Sequence, residues 1–153
     1  MRALELFLHV AGTAIWLGSG LVFMIFGPAA KRLPLESWAN TWINLATVQR
    51  ALIVPACVVA LVTGIIMSMG MVSTHVPMTS SLMMMQGFGV VAAGLTLAGS
   101  TPLAARMGRL ARRSLDSGKV EPAADQVRKA LAICASVSGV LILAAIYCGV
   151  ARF

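Results

Sequence analysis

The chain is short of charge, and above all of acid. Of its 153 residues only 11% are charged, and five are Asp or Glu. A soluble domain carries about 25% charged residues, so an ordinary water-facing surface is excluded. No Asp or Glu stands inside the long apolar stretches described below, Glu5 being at a boundary. An ion-coupled transporter is therefore not expected, since proton and ion relays need ionisable groups within the membrane. Aromatic residues make up 6% of the chain and are not interleaved with a basic stripe, which sets nucleic acid aside. Cys57, Cys134 and Cys148 fit neither a zinc nor a CxxC spacing, and they read as small core residues. There is no phosphate loop and no Ser-His-Asp order with plausible geometry, which points away from familiar catalysis.

What the chain does have is apolar length. Hydrophobic residues make up 59% of it, gathered into stretches at 4–29, 51–72, 82–105 and 130–150. Each is about 20 residues or more, enough to cross a ~30 Å hydrocarbon core. Backbone groups in lipid must be satisfied within the segment, and no stretch alternates as a strand would, so all four are expected as helices. The first stretch outruns the roughly 7–15 residues of a signal peptide's apolar region and is read as retained. The expectation is one all-α domain over 1–153, an integral membrane four-helix bundle.

Ten of the twelve Lys and Arg lie in the two longer connections, 30–50 and 106–129, and none lies in the turn at 73–80. By the positive-inside rule both connections are cytoplasmic and both termini are outside, in the periplasm of a bacterial inner (cytoplasmic) membrane. The stretch 36–50 reads as a short interfacial helix, with Trp38 and Trp42 at the headgroup level. Helical extensions in 106–129 are expected to meet at Ser117-Gly118, with Pro122 starting the second, and Thr79 or Ser80 can cap the third membrane helix. Pro55 should kink the second helix and open space near its middle, while Gly64 and Gly94 allow tight packing. The cluster Arg106 to Arg113 reads as an anchor against anionic lipid.

Within the membrane, His9 is the one histidine, and intramembrane ionisable groups are candidates for function. A helical face runs from it through Gly12, Thr13, Trp16 and Gly20. Neutral imidazole is a standard ligand of haem iron; a histidine bonded to a carbonyl near the interface is the plain alternative. The outer ends of the second and third helices are rich in sulfur, with Met67, Met69 and Met71, then His75 and Met78, then Met83, Met84 and Met85. Thioethers with a nearby imidazole suit cuprous copper, although methionine is also ordinary apolar filler. Gln86 can bridge helices by hydrogen bonding or bond a cofactor or quinone.

His9-Val-Ala-Gly-Thr-Ala-Ile-Trp16-Leu-Gly18-Ser-Gly20 resembles the opening helix of two related membrane families. These are the quinone-linked protoporphyrinogen oxidases of bacteria and the copper-resistance protein D family with its small relatives. Arg50-Ala-Leu-Ile-Val-Pro55 followed by Gly64 is similar to a pattern in the same oxidases. The resemblance implies a bundle that holds haem b, with His9 as axial ligand. The second ligand would come from Met69, His75, Met84, Met85 or Gln86. The oxidase activity itself is not expected: Met84-Met85-Gln86 stands where that family has an intramembrane Lys, and its last-helix acidic, proline-containing motif is missing, the chain reading Arg128-Lys129-Ala-Leu-Ala-Ile-Cys134. Three functions follow as expectations. The first is haem b binding for electron transfer, alone or with other membrane redox subunits. The second is copper handling through the Met/His cluster, and the third is a cofactor-free accessory or assembly role.

Overall fold

The computed structural model describes residues 2–73 and 79–151, the side chain of Arg2 apart. Along them run α1 (Arg2–Ala30), α2 (Leu35–Val48), α3 (Val54–Ser73), α4 (Ser80–Gly94), α5 (Thr101–Ser117) and α6 (Ala123–Ala151). There is no break between α2 and α3, or between α4 and α5; π-helical turns at Gln49–Ile53 and Leu95–Ser100 carry the chain through. The described residues thus form four long apolar helices, Ala3–Ala30, Leu35–Ser73, Ser80–Ser117 and Ala123–Ala151. Large apolar side chains are turned outward along them, among them Phe7, Ile15, Ile66, Val90, Ile133 and Val140. Such faces are stable only in lipid, and the chain is an integral membrane four-helix bundle.

The bundle is longer than a membrane is thick. Leu35–Ser73 has 39 residues and Ser80–Ser117 has 38. At 1.5 Å per residue each is nearly 60 Å long, about twice the ~30 Å core. The stretches expected as connections are therefore mostly helix. Residues 35–48 and 101–117 extend the bundle past its apolar band, and Lys31, Arg32 and the α5 arginines are exposed at this basic end.

The expected interfacial helix is corrected by its packing. α2 lies along α5, burying Trp38, Ala39, Trp42 and Leu45 against a face of Met107, Leu110, Ala111 and Ser114. Trp38 and Trp42 are core residues of this layer, not headgroup anchors. Gly108 lets the two helices come this close, and Gly27 of α1 lies beside the layer. A Cβ on Gly108 would come within 3.0 Å of Ala46 Cβ, and one on Gly27 within 3.6 Å of the Trp42 ring. The Trp42 Nε1 is buried without a hydrogen-bond partner among the described residues.

The π turns answer a steric problem. Proline lacks an N–H, and its ring collides with the carbonyl four residues earlier. For Pro55 and Pro102 those carbonyls belong to Ala51 and Ala98, and each lies inside a widened turn. Val54 N–H then reaches Gln49 O, and Thr101 N–H reaches Thr96 O. Pro55 is thus accommodated by a widened turn just before it.

The ends of the elements follow their local chemistry. Gly118, at φ +70°, closes α5 in the left-handed region that a side chain disfavours. Thr79 occupies the N-cap position of α4, and its hydroxyl bonds the Ser81 hydroxyl at 3.0 Å rather than a backbone N–H. In the apolar band α1 lies along α3 and α6 along α4, while α3 and α4 touch little.

Candidate functional site

Because α3 and α4 diverge, the half of the bundle nearer the termini is not filled. A cavity of about 670 Å³ opens there, lined by residues of α1, α3, α4 and α6. That lies within the ~300–1,000 Å³ usual for small-molecule sites. Its walls are mainly apolar and its polar groups few: His9 and Thr13 from α1, Ser68 and Ser73 from α3, and Gln86 from α4. Small residues hold the helices' contribution to the walls thin, notably Ala60, Gly64, Gly89 and Ala145.

His9 is held by α3. Its Nδ1 is 2.8 Å from the Ala60 carbonyl oxygen and 3.3 Å from Thr63 Oγ1. A carbonyl can only accept, so Nδ1 carries the proton in this bond. Thr63 already donates to the carbonyl of Val59 at 2.6 Å, leaving its lone pairs for the imidazole. In the neutral ring the lone pair is then on Nε2, which has no hydrogen-bond partner among the described residues. Gly64 leaves room for the ring, since a Cβ there would stand 3.1 Å from His9 Cε1. The carbonyl-bonded histidine, the plain alternative in the sequence, is what α3 holds, and that bond engages only one of the two ring nitrogens.

Several predicted residues meet in this cavity. His9, Thr13, Trp16, Met69, Met85 and Gln86 all line it. Others go elsewhere. Gly12 is buried on α3, where a Cβ would come within 3.0 Å of Ala56 O and 3.1 Å of Ala60 N, so it serves close helix approach. Gly20 lines a second, smaller cavity of about 30 Å³ on the far side of Trp16. Met67 and Met71 are not among the lining residues, and Met84 is exposed on α4. The i, i+2, i+4 spacing puts Met67 and Met71 on one face of the helix and Met69 near the opposite one, so the three do not converge. His75 and Met78 lie outside the described residues. Among the described residues no three His, Cys, Asp or Glu side chains gather as a metal site.

Gln86 bridges helices: its Nε2 donates to Ser68 Oγ at 2.6 Å, and Ser68 donates to Gly64 O at 2.8 Å. Met85 is seated on α6, where a Cβ on Gly149 would come within 2.9 Å of its sulfur.

A buried polar chain continues from the cavity floor toward the basic end, and sequence reasoning missed it. Trp16 Nε1 donates to Thr96 Oγ1 at 3.1 Å, and Thr96 and Ser138 hydroxyls lie 3.0 Å apart. Gln49 Nε2 then joins one π turn to the other, reaching Thr101 Oγ1 at 3.0 Å and Ser100 Oγ at 3.4 Å. Isolated Ser and Thr in apolar helices were the available signal, but only the register between helices shows which of them meet. Comparison of the chain with family models, curated proteins and solved structures returned no match.

Proposed function

We propose that this chain is a small integral membrane haem b-binding protein, acting in electron transfer or within a membrane redox complex. The observation that carries the reading is His9: its Nδ1 is tied to a backbone carbonyl, while its Nε2, on a residue lining a large apolar cavity, has no partner among the described residues. A histidine that ligates a metal almost always donates its other N–H in this way, which fixes the tautomer and the ring plane. The residues present fit the group. His9 would supply a nitrogen ligand and Met69 or Met85 a thioether, with Trp16 and the small residues of α3 and α4 as walls. Haem bound there would supply one-electron transfer. The resemblance of α1 to histidine-bearing membrane families supports the same reading. The excess of Lys and Arg at the other end supports a periplasmic placement of the cavity, in a bacterial inner membrane.

The test is an oxidised-minus-reduced visible spectrum of protein purified after haem-replete expression. Soret, alpha and beta bands are expected, and they should be lost in His9→Ala. A flat spectrum for the unaltered chain overturns the proposal.

A second reading is cuprous copper, favoured by two thioethers and one imidazole lining a single cavity. It expects stoichiometric cuprous binding that weakens when Met69 and Met85 are both changed to Leu. Binding unaffected by that pair would remove the reading.

A further inference from the structure

Outside the cavity, the most unusual chemistry is at the basic end. Arg106, Arg109 and Arg113 stand at i, i+3 and i+7 on α5 and so share one helical face. With Leu110, with Glu121 from the connection before α6 and with Ala123 at its start, they line a cleft of about 380 Å³. Glu121, the acid in the cleft's lining, offsets one of the three charges and forms no ion pair among the described residues. Asp125 is engaged by Arg128 at 2.6 Å and by Lys129 at 2.8 Å. Among the described residues none of the three cleft arginines forms an ion pair or a hydrogen bond. Three like charges facing one concavity repel each other unless an anion lies among them. Guanidinium forks match the oxygens of phosphate bidentately, and such charge-assisted bonds are the strong ones.

We infer that this cleft binds a phosphate-bearing anion, either a free phosphate or the headgroup phosphate of an anionic phospholipid. Its depth admits both sources. Ala98 and Pro102 are the last exposed apolar residues on this part of the span, and Arg106 is the next exposed one along that face. Arg113 lies two turns further, about 10 Å beyond Arg106. The headgroup layer adds roughly 5–8 Å on each side of the hydrocarbon. The cleft therefore begins among headgroups and ends in water. Glu121 on its opposite wall opposes an anion and sets the affinity below what the arginines alone would give.

Arg112 separates a built site from general attraction of a basic surface. It is exposed on the same helix and carries the same charge, but it does not line the cleft. The experiment uses the full chain in an uncharged detergent, titrated with phosphatidylglycerol, phosphatidylcholine or inorganic phosphate. Binding is read by native mass spectrometry and by the melting temperature. Phosphatidylglycerol is expected to bind and phosphatidylcholine not to. Arg109→Gln should weaken binding about tenfold, the loss of one charge-assisted contact. Arg112→Gln should leave binding within about twofold, and Glu121→Gln should tighten it. Arg109→Lys keeps the charge without the fork, and should remain folded yet lose most of the affinity. Saturation by inorganic phosphate as well identifies a free phosphate site, whereas a response to the lipid alone identifies a headgroup site. Equal losses in Arg109→Gln and Arg112→Gln, or no binding of either phosphate probe, would overturn the inference.

Discussion

Where α2 meets α5, Gly108 faces Ala46, and the ring of Trp42 comes up to Gly27 of α1. Where α3 diverges from α4, Gly64 and Gly89 face a cavity instead. The two regions use the same kind of residue and share α1 and α6, yet one is closed and the other open. The difference lies in what stands opposite. At the basic end Gly108 meets Ala46 and Gly27 meets the Trp42 ring, in a layer whose large buried side chains are Trp38, Trp42 and Met107. At the other end Gly89 meets nothing, and the side chains that come down onto glycines, His9 on Gly64 and Met85 on Gly149, leave the space between them open. The solvent differs too. The basic end projects past the hydrocarbon, where burial from water drives packing. In the apolar band lipid is as good a neighbour as leucine, so leaving space costs less. A small residue in a membrane sequence therefore marks close approach or vacancy, and its partner decides which.

This contrast can be broken most directly at Trp42. Replacing it with Ala should cost about 3–5 kcal/mol, as for a large aromatic removed from a packed core. Thermal unfolding in detergent would read this, and a loss below about 1 kcal/mol would mean the layer is not a true core. A matched pair of insertions sharpens it next. Gly108→Leu drives a side chain into Ala46 and should cost about 1–3 kcal/mol. Gly89→Leu meets open space, so its melting temperature should hold or rise, while haem or copper binding is lost. Equal destabilisation by the two would erase the distinction between the ends. The smallest effect belongs to the bridge across the open seam. Gln86→Leu removes the bond to Ser68 and should cost only about 0.6 kcal/mol, the average for hydrogen bonds between membrane helices.

The four membrane helices were legible because apolar runs of that length have one structural solution in lipid. The cavity was partly legible, since a lone histidine, a tryptophan and an amide are conspicuous against an apolar background. His9, Trp16, Met85 and Gln86 do meet there. Gly12 and Gly20 were harder, because a glycine on the histidine's face reads the same whether it receives a cofactor or a neighbouring backbone. The basic end was the least legible. Trp38 and Trp42 at i, i+4 suit a headgroup belt as well as a core, and the deciding signal lay about 65 residues away. There Met107, Leu110, Ala111 and Ser114 repeat at i, i+3, i+4 and i+7, the period of a buried helical stripe. The charged residues between them mask that stripe in any hydropathy average.

Each π turn holds one residue more than an ordinary turn of helix. A one-residue deletion at Gln49–Ile53 would therefore leave an unbroken α-helix, apart from the crowding it restores at Pro55. Keeping that residue but closing the turn into regular α-helix would instead rotate everything beyond by about 100° relative to α2. Ala60, Thr63 and Gly64 would swing away from His9 while Trp38 and Trp42 kept their places on α5. The two widened turns, joined by Gln49, thus act as phase-setters. They fix the angular offset at which a chain tightly meshed at one end presents its histidine seat at the other.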